Sequence, residues 1–307
     1  MLWEIIMMNR AYHIPVLLQE SVDALAVQPE GVYVDVTFGG GGHSAEILKR
    51  LGKNGKLYGF DQDQDAQNNV LDDSRFTLIP ANFRFIKRFL RLEGVKTVDG
   101  ILGDFGVSSH QFDEGNRGFS IRFEANLDMR MDQNTALSAS ELVNTYSEEY
   151  LAKLFWEYGE IRMSRKLAKA IVEHRGVTPI KSTKDLNDLL TPFFPPTKFN
   201  KFLAQVYQAI RIEVNQEMES LKEFLLQTSE LIKPKGRLSL ISYHSLEDRL
   251  VKRFIRDGNF TGPPEKDFYG NKLVPFKKVG KIIIPSPQEI QMNSRSRSAK
   301  LRIGEKL

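Results

Sequence analysis

The sequence predicts an α/β fold: a mostly parallel, Rossmann-like sheet interrupted by an all-helical insertion. Runs of β-branched and aromatic residues alternate with amphipathic stretches over residues 31–106 and again after residue 214. Such apolar runs are typical of strands buried on both faces of a parallel sheet, and their alternation with helices favours βαβ units. From about residue 111 to 215 only helical patterns occur, which indicates a separate helical domain.

The first part of the sheet is predicted to contain four strands. After the first of them, the stretch "SAEILKRLG" has its apolar residues on one helical face and ends at Gly52, a typical helix C-terminal cap. The predicted strands cover residues 31–38, 56–63, 76–83 and 98–106.

The helical segment carries a helix-start signal, Ser182 followed three residues later by Asp185, the spacing of a capping box. After it, "RLSLISYHS" predicts another strand, and "KIIIPS" and "AKLRIGEK" predict two more, the last as an edge strand. The predicted domains are residues 1–111 for the first part of the sheet domain, 112–213 for an inserted substrate-recognition domain and 214–307 for the second part.

Composition limits the class of protein. The 307 residues are 41% hydrophobic and include no cysteine, so disulfides and thiolate metal sites are excluded. No apolar run approaches the roughly 20 residues of a membrane span, and we expect a cytoplasmic protein. From Arg249 onward there are 14 basic and 5 acidic residues, which favours an anionic partner or a solvated basic surface.

Four successive glycines, residues 39–42, lie between the first strand and the first helix. Small residues at this position let a ligand approach the backbone at the carboxyl edge of the sheet. A dinucleotide fingerprint, Gly-x-Gly-x-x-Gly, fits at Gly39 and Gly41, but Ser44 occupies the third place. A cofactor loop and a plain tight turn both remain open.

Three further residues are predicted at strand ends. Asp61 follows Gly39 by 22 positions, close to the roughly 20-residue offset of an acid that binds ribose hydroxyls, although a helix N-cap is the alternative. Phe83 is expected at the end of the third strand, against an adenine ring or in the core, and Asp104 at the end of the fourth, as a ligand acceptor or a turn cap. One nucleoside-containing cofactor explains the set, and nicotinamide dinucleotide and S-adenosylmethionine both fit.

Other chemistries lack their signals. The sequence contains no Gly-x-Ser-x-Gly elbow, which disfavours an α/β-hydrolase. No metal site is predicted, because the five histidines show no paired ligand spacing. They are His13, His43, His110, His174 and His244.

Longer motifs lie along the chain from His13 to Ile303. They are "HIPVLLQESVDAL", "DVTFGGGGHS", "GFDQD", "GVSSHQFDEGNRGFS", "LDMRMD", "QAIRIEVNQE", "LSLISYHSLEDRLVKRF" and "SRSRSAKLRI". Together they resemble the bacterial small-subunit ribosomal RNA cytosine-N4-methyltransferases, the RsmH or MraW family. The resemblance implies a class I S-adenosylmethionine-dependent methyltransferase that modifies one cytidine of the decoding region, in the assembled or nearly assembled small subunit.

Asp104 is the candidate catalytic residue, because a hydrogen-bond acceptor on the weakly nucleophilic cytosine amine would help to localise its lone pair. Carried over position by position, the resemblance implies a set of cofactor contacts. These contacts are Gly41, Gly42, His43, Asp61, Phe83, Asp104 and Gln111. The sequence departs from the family pattern at Phe105, usually Leu, at His110, often Pro, and at Gln205, commonly Arg.

Three other functions each explain part of the sequence. A nicotinamide-dependent oxidoreductase explains the glycines and Asp61 but not "LDMRMD". A non-catalytic RNA-binding assembly protein explains the basic C-terminal segment but leaves the nucleoside site without a purpose. A DNA amino-methyltransferase is disfavoured because Asp104 is followed by Phe-Gly-Val and not by Pro-Pro-aromatic.

Overall fold

The computed structural model describes residues 15–107 and 115–307. The chain forms two compact units, one built from the residues up to 106 together with 218–307, and the other from residues 107–217. Within the described residues, none of the helices combines the length and the apolar character that a bilayer span requires.

One seven-stranded sheet organises the first unit. Its strand order is β3-β2-β1-β4-β5-β7-β6, with β1 to β5 parallel and β7 antiparallel to both β5 and β6. The predicted class I methyltransferase fold, a mostly parallel Rossmann-like sheet, is confirmed. The strands are β1 Val32–Asp35, β2 Lys56–Phe60, β3 Phe76–Ile79, β4 Val98–Asp104, β5 Ile232–Ser242, β6 Phe276–Ile283 and β7 Lys300–Lys306.

Eleven α-helices lie in the described residues, six of them in or entering the sheet unit. Short 3₁₀ helices connect several elements, among them Gln64–Asn69, Phe83–Phe85 and Ser294–Ser298. The α-helices are α1 Leu18–Ala24, α2 Gly42–Arg50, α3 Ile86–Leu92, α4 Ala139–Thr145, α5 Glu148–Glu157, α6 Ser164–Arg175, α7 Thr183–Leu190, α8 Pro196–Val214, α9 Glu217–Leu231, α10 Ser245–Asp257 and α11 Pro287–Met292.

The central strands are buried on both faces. On β1, Val34 packs into one apolar cluster with Phe224 and Phe254, whereas its neighbour Tyr33 packs into another with Ile47. Successive strand residues point to opposite faces, so each central strand needs apolar residues without interruption. This explains why the strands appear in the sequence as continuous apolar runs.

The second unit is helical and has its own apolar core, to which Leu142, Phe155 and Ile171 contribute fully buried side chains. The predicted capping box at the start of α7 is present: the Ser182 hydroxyl accepts from the Asp185 N–H at 3.1 Å, and Asp185 Oδ2 accepts from the Ser182 N–H at 2.9 Å. Because local spacing alone defines this motif, the sequence was sufficient to find it.

The last strand differs from its prediction. β7 is an interior strand between β5 and β6, not an edge strand. Its Leu301 is fully buried between neighbours, and Arg302 donates to Asp248 at 2.6 Å. The strand's short apolar pattern fitted an edge position equally well, and only the pairing of β6 on its outer side decided the outcome.

The need for glycine in the turn of residues 39–42, called here the glycine turn, can be tested by a matched pair of variants. Gly41 and Gly94 both have φ of +75°, but a Cβ on Gly41 would lie 3.0 Å from the Phe38 ring, whereas one on Gly94 would meet no described atom within 4 Å. We expect Gly94→Ala to cost about 1–2 kcal/mol, the usual penalty of left-handed backbone, and Gly41→Ala to cost more. Melting temperatures of the ligand-free proteins measure both costs. Equal decreases in melting temperature would show that the Phe38 ring moves aside at no cost in stability.

Candidate active site

Three aspartates stand at the carboxyl ends of three neighbouring strands. Asp35 ends β1, Asp104 ends β4, and Asp61 directly follows β2. Since β1 lies between β2 and β4, and all three strands are parallel, these carboxylates share one edge of the sheet. Strand order reverses at this point, which is where open α/β sheets bind ligands. The sequence had predicted Asp61 and Asp104 at these strand ends.

Asp61 is tied to the glycine turn. Its Oδ2 accepts from the Gly39 N–H at 2.8 Å, and its Oδ1 accepts from the Asp63 N–H at 2.9 Å. Burial raises the pKa of Asp61 to about 6, although these two backbone donors oppose the rise. Asp63, not Asp61, caps the following 3₁₀ helix, through the Asp65 N–H. Each Asp61 oxygen keeps a second lone pair that a ligand hydroxyl can use.

Asp35 was missed by the sequence analysis. Its side chain is fully buried and accepts from the Ser44 hydroxyl at 2.8 Å and from the Thr37 N–H at 3.1 Å. Burial raises the pKa of Asp35, and the field of His43 opposes the rise. The signal that could have revealed it is Ser44, which stands where a dinucleotide fingerprint has its third glycine.

Asp104 holds the end of β4 against the end of β1. Its N–H donates to Thr37 Oγ1 at 2.6 Å. Burial raises the pKa of its carboxyl group to about 6, opposed by His43 and by a hydrogen bond from Tyr243. Asp104 Oδ1 is buried and has no hydrogen-bond partner among the described residues. A buried acceptor without a partner is costly, and a ligand donor would satisfy it.

The glycines and His43 shape the start of α2. Gly41 is the left-handed N-cap residue, and a Cβ on Gly42 would lie 2.3 Å from Cγ of Pro15, so the helix packs too closely there for any side chain. His43 is buried, and its Nε2 lies 3.1 Å from the Val16 carbonyl oxygen. One imidazole nitrogen therefore anchors the segment before α1.

Phe83 is not at a strand end, and that part of its prediction is wrong. β3 ends at Ile79 because Pro80, which lacks an N–H, cannot continue the ladder. Phe83 begins a 3₁₀ helix and packs against Phe105 and Phe224, with ring centroids 5.7 and 5.4 Å away. Phe105, one of the family departures, thus supports Phe83. Gln111, the remaining predicted contact, lies outside the described residues.

Comparison with known proteins decides the family. The family model described as MraW methylase matches residues 10–307. The chain belongs to the MraW methylase family. Two curated proteins named ribosomal RNA small subunit methyltransferase H are similar over 96% of this chain and 98% of their own: one from Christiangramia forsetii at 67% identity and one from Flavobacterium johnsoniae at 62%. A third of that name, from Phocaeicola vulgatus, is 55% identical over 97% of this chain and 98% of its own. The resemblance stated from the motifs is confirmed.

The burial of Asp104 generates a stability prediction. Because the folded state raises the Asp104 pKa to about 6, its ionised form destabilises the ligand-free fold. We expect Asp104→Asn to raise the melting temperature at about pH 7.5, with a gain in the free energy of unfolding of at most about 3 kcal/mol. It should give no gain below about pH 3, where the carboxyl group is mostly protonated in both states.

Asp73 provides the control of opposite sign. Hydrogen bonds from Arg75 lower its pKa to about 2, so Asp73 stabilises the fold when ionised, and Asp73→Asn should lower the melting temperature at neutral pH. Thermal scans of both variants at several pH values measure the difference. A lower melting temperature for Asp104→Asn at neutral pH would contradict the burial argument.

Proposed function

We propose that this methylase transfers a methyl group from S-adenosylmethionine to the exocyclic N4 amine of a cytidine in small-subunit ribosomal RNA. The observation that carries the catalytic part of the proposal is the unpartnered Asp104 Oδ1 at the strand-order reversal. An amine hydrogen of the target base is the donor that this oxygen lacks.

The charge of the site favours this cofactor over a dinucleotide. Asp35 raises the pKa of both Asp61 and Asp104 through its negative field, so the negative charge of Asp35 acts on each of the other two carboxylates. Such an edge attracts a sulfonium and an ammonium group, whereas the pyrophosphate of a nicotinamide dinucleotide would be repelled. The oxidoreductase alternative is therefore disfavoured by electrostatics as well as by motif.

We assign the cofactor contacts to the positions that the family motifs indicate. Asp61 would accept from the ribose hydroxyls, and Phe83 would lie near the adenine, since its ring is only partly buried beside the same edge. The backbone of the glycine turn would lie against the methionine part. The assigned residues are Gly41, Gly42, His43, Asp61, Phe83, Asp104 and Gln111.

The chain's own contribution to the chemistry is placement and hydrogen bonding. When bound, S-adenosylmethionine supplies a methyl group already activated by its sulfonium charge. The site must hold the acceptor nitrogen in line with that carbon, a gain from proximity and orientation. The cytosine amine is a weak nucleophile because its lone pair is delocalised into the ring. Asp104, by accepting one amine hydrogen, would localise the lone pair and take up the proton released as the new N–C bond forms.

The helical unit is the proposed substrate-recognition domain, with limits near the predicted residues 112–213. Its separate apolar core supports independent folding, so its removal should leave the sheet unit able to bind the cofactor. The target base must be unstacked for the amine to enter the site. We place the reaction in the cytoplasm, on assembled or nearly assembled small subunits.

The proposal predicts a product and a pH dependence. Wild-type protein with labelled S-adenosylmethionine and small-subunit particles should yield N4-methylcytidine. At saturating cofactor, kcat/KM should fall as the pH drops through about 6, where Asp104 becomes protonated. Asp104→Asn should lower the rate by about 100-fold or more. Labelled RNA that releases a different modified nucleoside on digestion would refute the assignment.

The basic 3₁₀ helix Ser294–Ser298 leads to a prediction about RNA binding. Because Lys300 pairs with Ser242, the last residue of β5, this helix lies at the same sheet edge as Asp104. Arg295 and Arg297 on it are exposed. We propose that they contact RNA phosphates.

We expect Arg295→Ala/Arg297→Ala to weaken binding to small-subunit particles and to reduce the salt slope by up to about 2, with cofactor affinity unchanged. Lys278→Ala/Lys281→Ala, which removes the same charge from the exposed side of β6, is the control. Binding isotherms at several salt concentrations compare them, and identical slopes for both double variants would end the claim.

A further inference from the structure

Tyr243 stands beside Asp104 although the two residues are far apart in sequence. In the register of the parallel strands β4 and β5, Asp104 is opposite Ile241, so Tyr243, two residues later, leaves β5 at the edge where the aspartates lie. Its N–H donates to Glu247 Oε2 at 3.0 Å. The backbone of Tyr243 is thereby fixed to the first turn of α10.

The ring of Tyr243 is held by the chain that leaves β4. Gly106 has φ of +118°, and a Cβ added there would lie 3.5 Å from the tyrosine ring. The segment after Asp104 therefore passes directly against this ring. With one side fixed by α10 and another by Gly106, the side chain has little freedom to move away from Asp104.

The phenol group lies beside the Asp104 carboxylate, where it lowers the pKa of that carboxyl group. Burial, reinforced by the negative field of Asp104, raises the pKa of Tyr243 well above its usual value. The hydroxyl therefore stays protonated at any pH at which the enzyme works. A donor that never titrates stabilises the ionised carboxylate that it contacts.

We propose that Tyr243 is a positioning residue, whose hydroxyl orients the Asp104 carboxylate and leaves one of its oxygens for the acceptor amine. This inference rests on the proposed function, in which Asp104 accepts from the amine. It explains how a carboxylate with a buried, unpartnered oxygen keeps a defined orientation before substrate arrives.

Other charged groups also face Asp104, and each comes from a different element. They are His43 of α2, whose field lowers the Asp104 pKa, and Asp35 of β1 and Glu247 of α10, whose fields raise it. Glu289 of α11 acts on Tyr243 itself. Removal of the hydroxyl leaves all four in place, so a change in Asp104 titration reports the loss of one hydrogen bond.

The test is Tyr243→Phe, which removes the hydroxyl alone. Loss of a donor to the charged form raises the Asp104 pKa. The pH at which kcat/KM falls on the acidic side of the profile should therefore rise by about one unit, and kcat/KM on that acidic side should be about tenfold lower than in the wild type. At pH values above this fall, the affinity for S-adenosylmethionine should change little. Carbon-13 titration of the Asp104 carboxyl group in the ligand-free variant, assigned with Asp104→Asn, should show the same rise.

Tyr33→Phe is the matched control. Tyr33 is a buried tyrosine on β1, and its hydroxyl accepts from the Gln28 N–H at 2.8 Å. Tyr33→Phe should alter the melting temperature without shifting the pH profile of kcat/KM.

An unchanged Asp104 titration in Tyr243→Phe would overturn the proposal, even if the rate fell equally at every pH, since that pattern signals a structural role only. The carboxyl titration needs no substrate. If wild-type enzyme failed to form N4-methylcytidine, the proposed function would fall while the titration still decided the role of Tyr243.

Discussion

The reversal of strand order between β1 and β4 is the constraint on which the site depends. The chain leaves β1 toward β2 and β3 on one side and returns to β4 on the other, so loops diverge and a crevice opens between them. The short segment 37–44 bridges this crevice and contacts all three aspartates. Thr37 and Ser44 donate to Asp35, the Gly39 N–H donates to Asp61, and the Thr37 hydroxyl accepts from the Asp104 N–H. This segment must be compact, which is why glycine dominates it.

The same arrangement of carboxylates destabilises the ligand-free fold electrostatically. Three carboxylates share one sheet edge, and burial raises the pKa of each. The ligand-free fold is therefore less stable at neutral pH than its packing alone would allow, as is common where function needs buried charge. A cationic ligand relieves the repulsion. In the proposed function, this relief would favour the binding of a sulfonium over that of an anionic dinucleotide.

In the C-terminal region, strand order also determines where the basic 3₁₀ helix lies. β7 lies between β5 and β6 and is antiparallel to both, so it begins at the sheet edge where Asp104 lies. This brings the basic 3₁₀ helix Ser294–Ser298 to that edge. Asp248 of α10 binds Arg302 of β7, so the helix that fixes Tyr243 also clamps this strand. One helix therefore supports both the Asp104 side of the site and the basic surface beside it.

The sequence by itself determined the alternation of strands and helices, the helical insertion, the capping box at Ser182 and the positions of Asp61 and Asp104 at strand ends. Each depends on spacing within a few residues, which local periodicity and turn chemistry record, while longer motifs identified the family. The tertiary structure alone decided that Asp35 joins the cluster, that Phe83 packs against Phe105 and Phe224 and not at a strand end, that β7 is interior, and that Tyr243 reaches Asp104. These outcomes depend on which strands become neighbours and in which register. Hydrogen bonds and burial between segments far apart in the chain, such as the 67 residues between Thr37 and Asp104, select that register, and no local pattern encodes it.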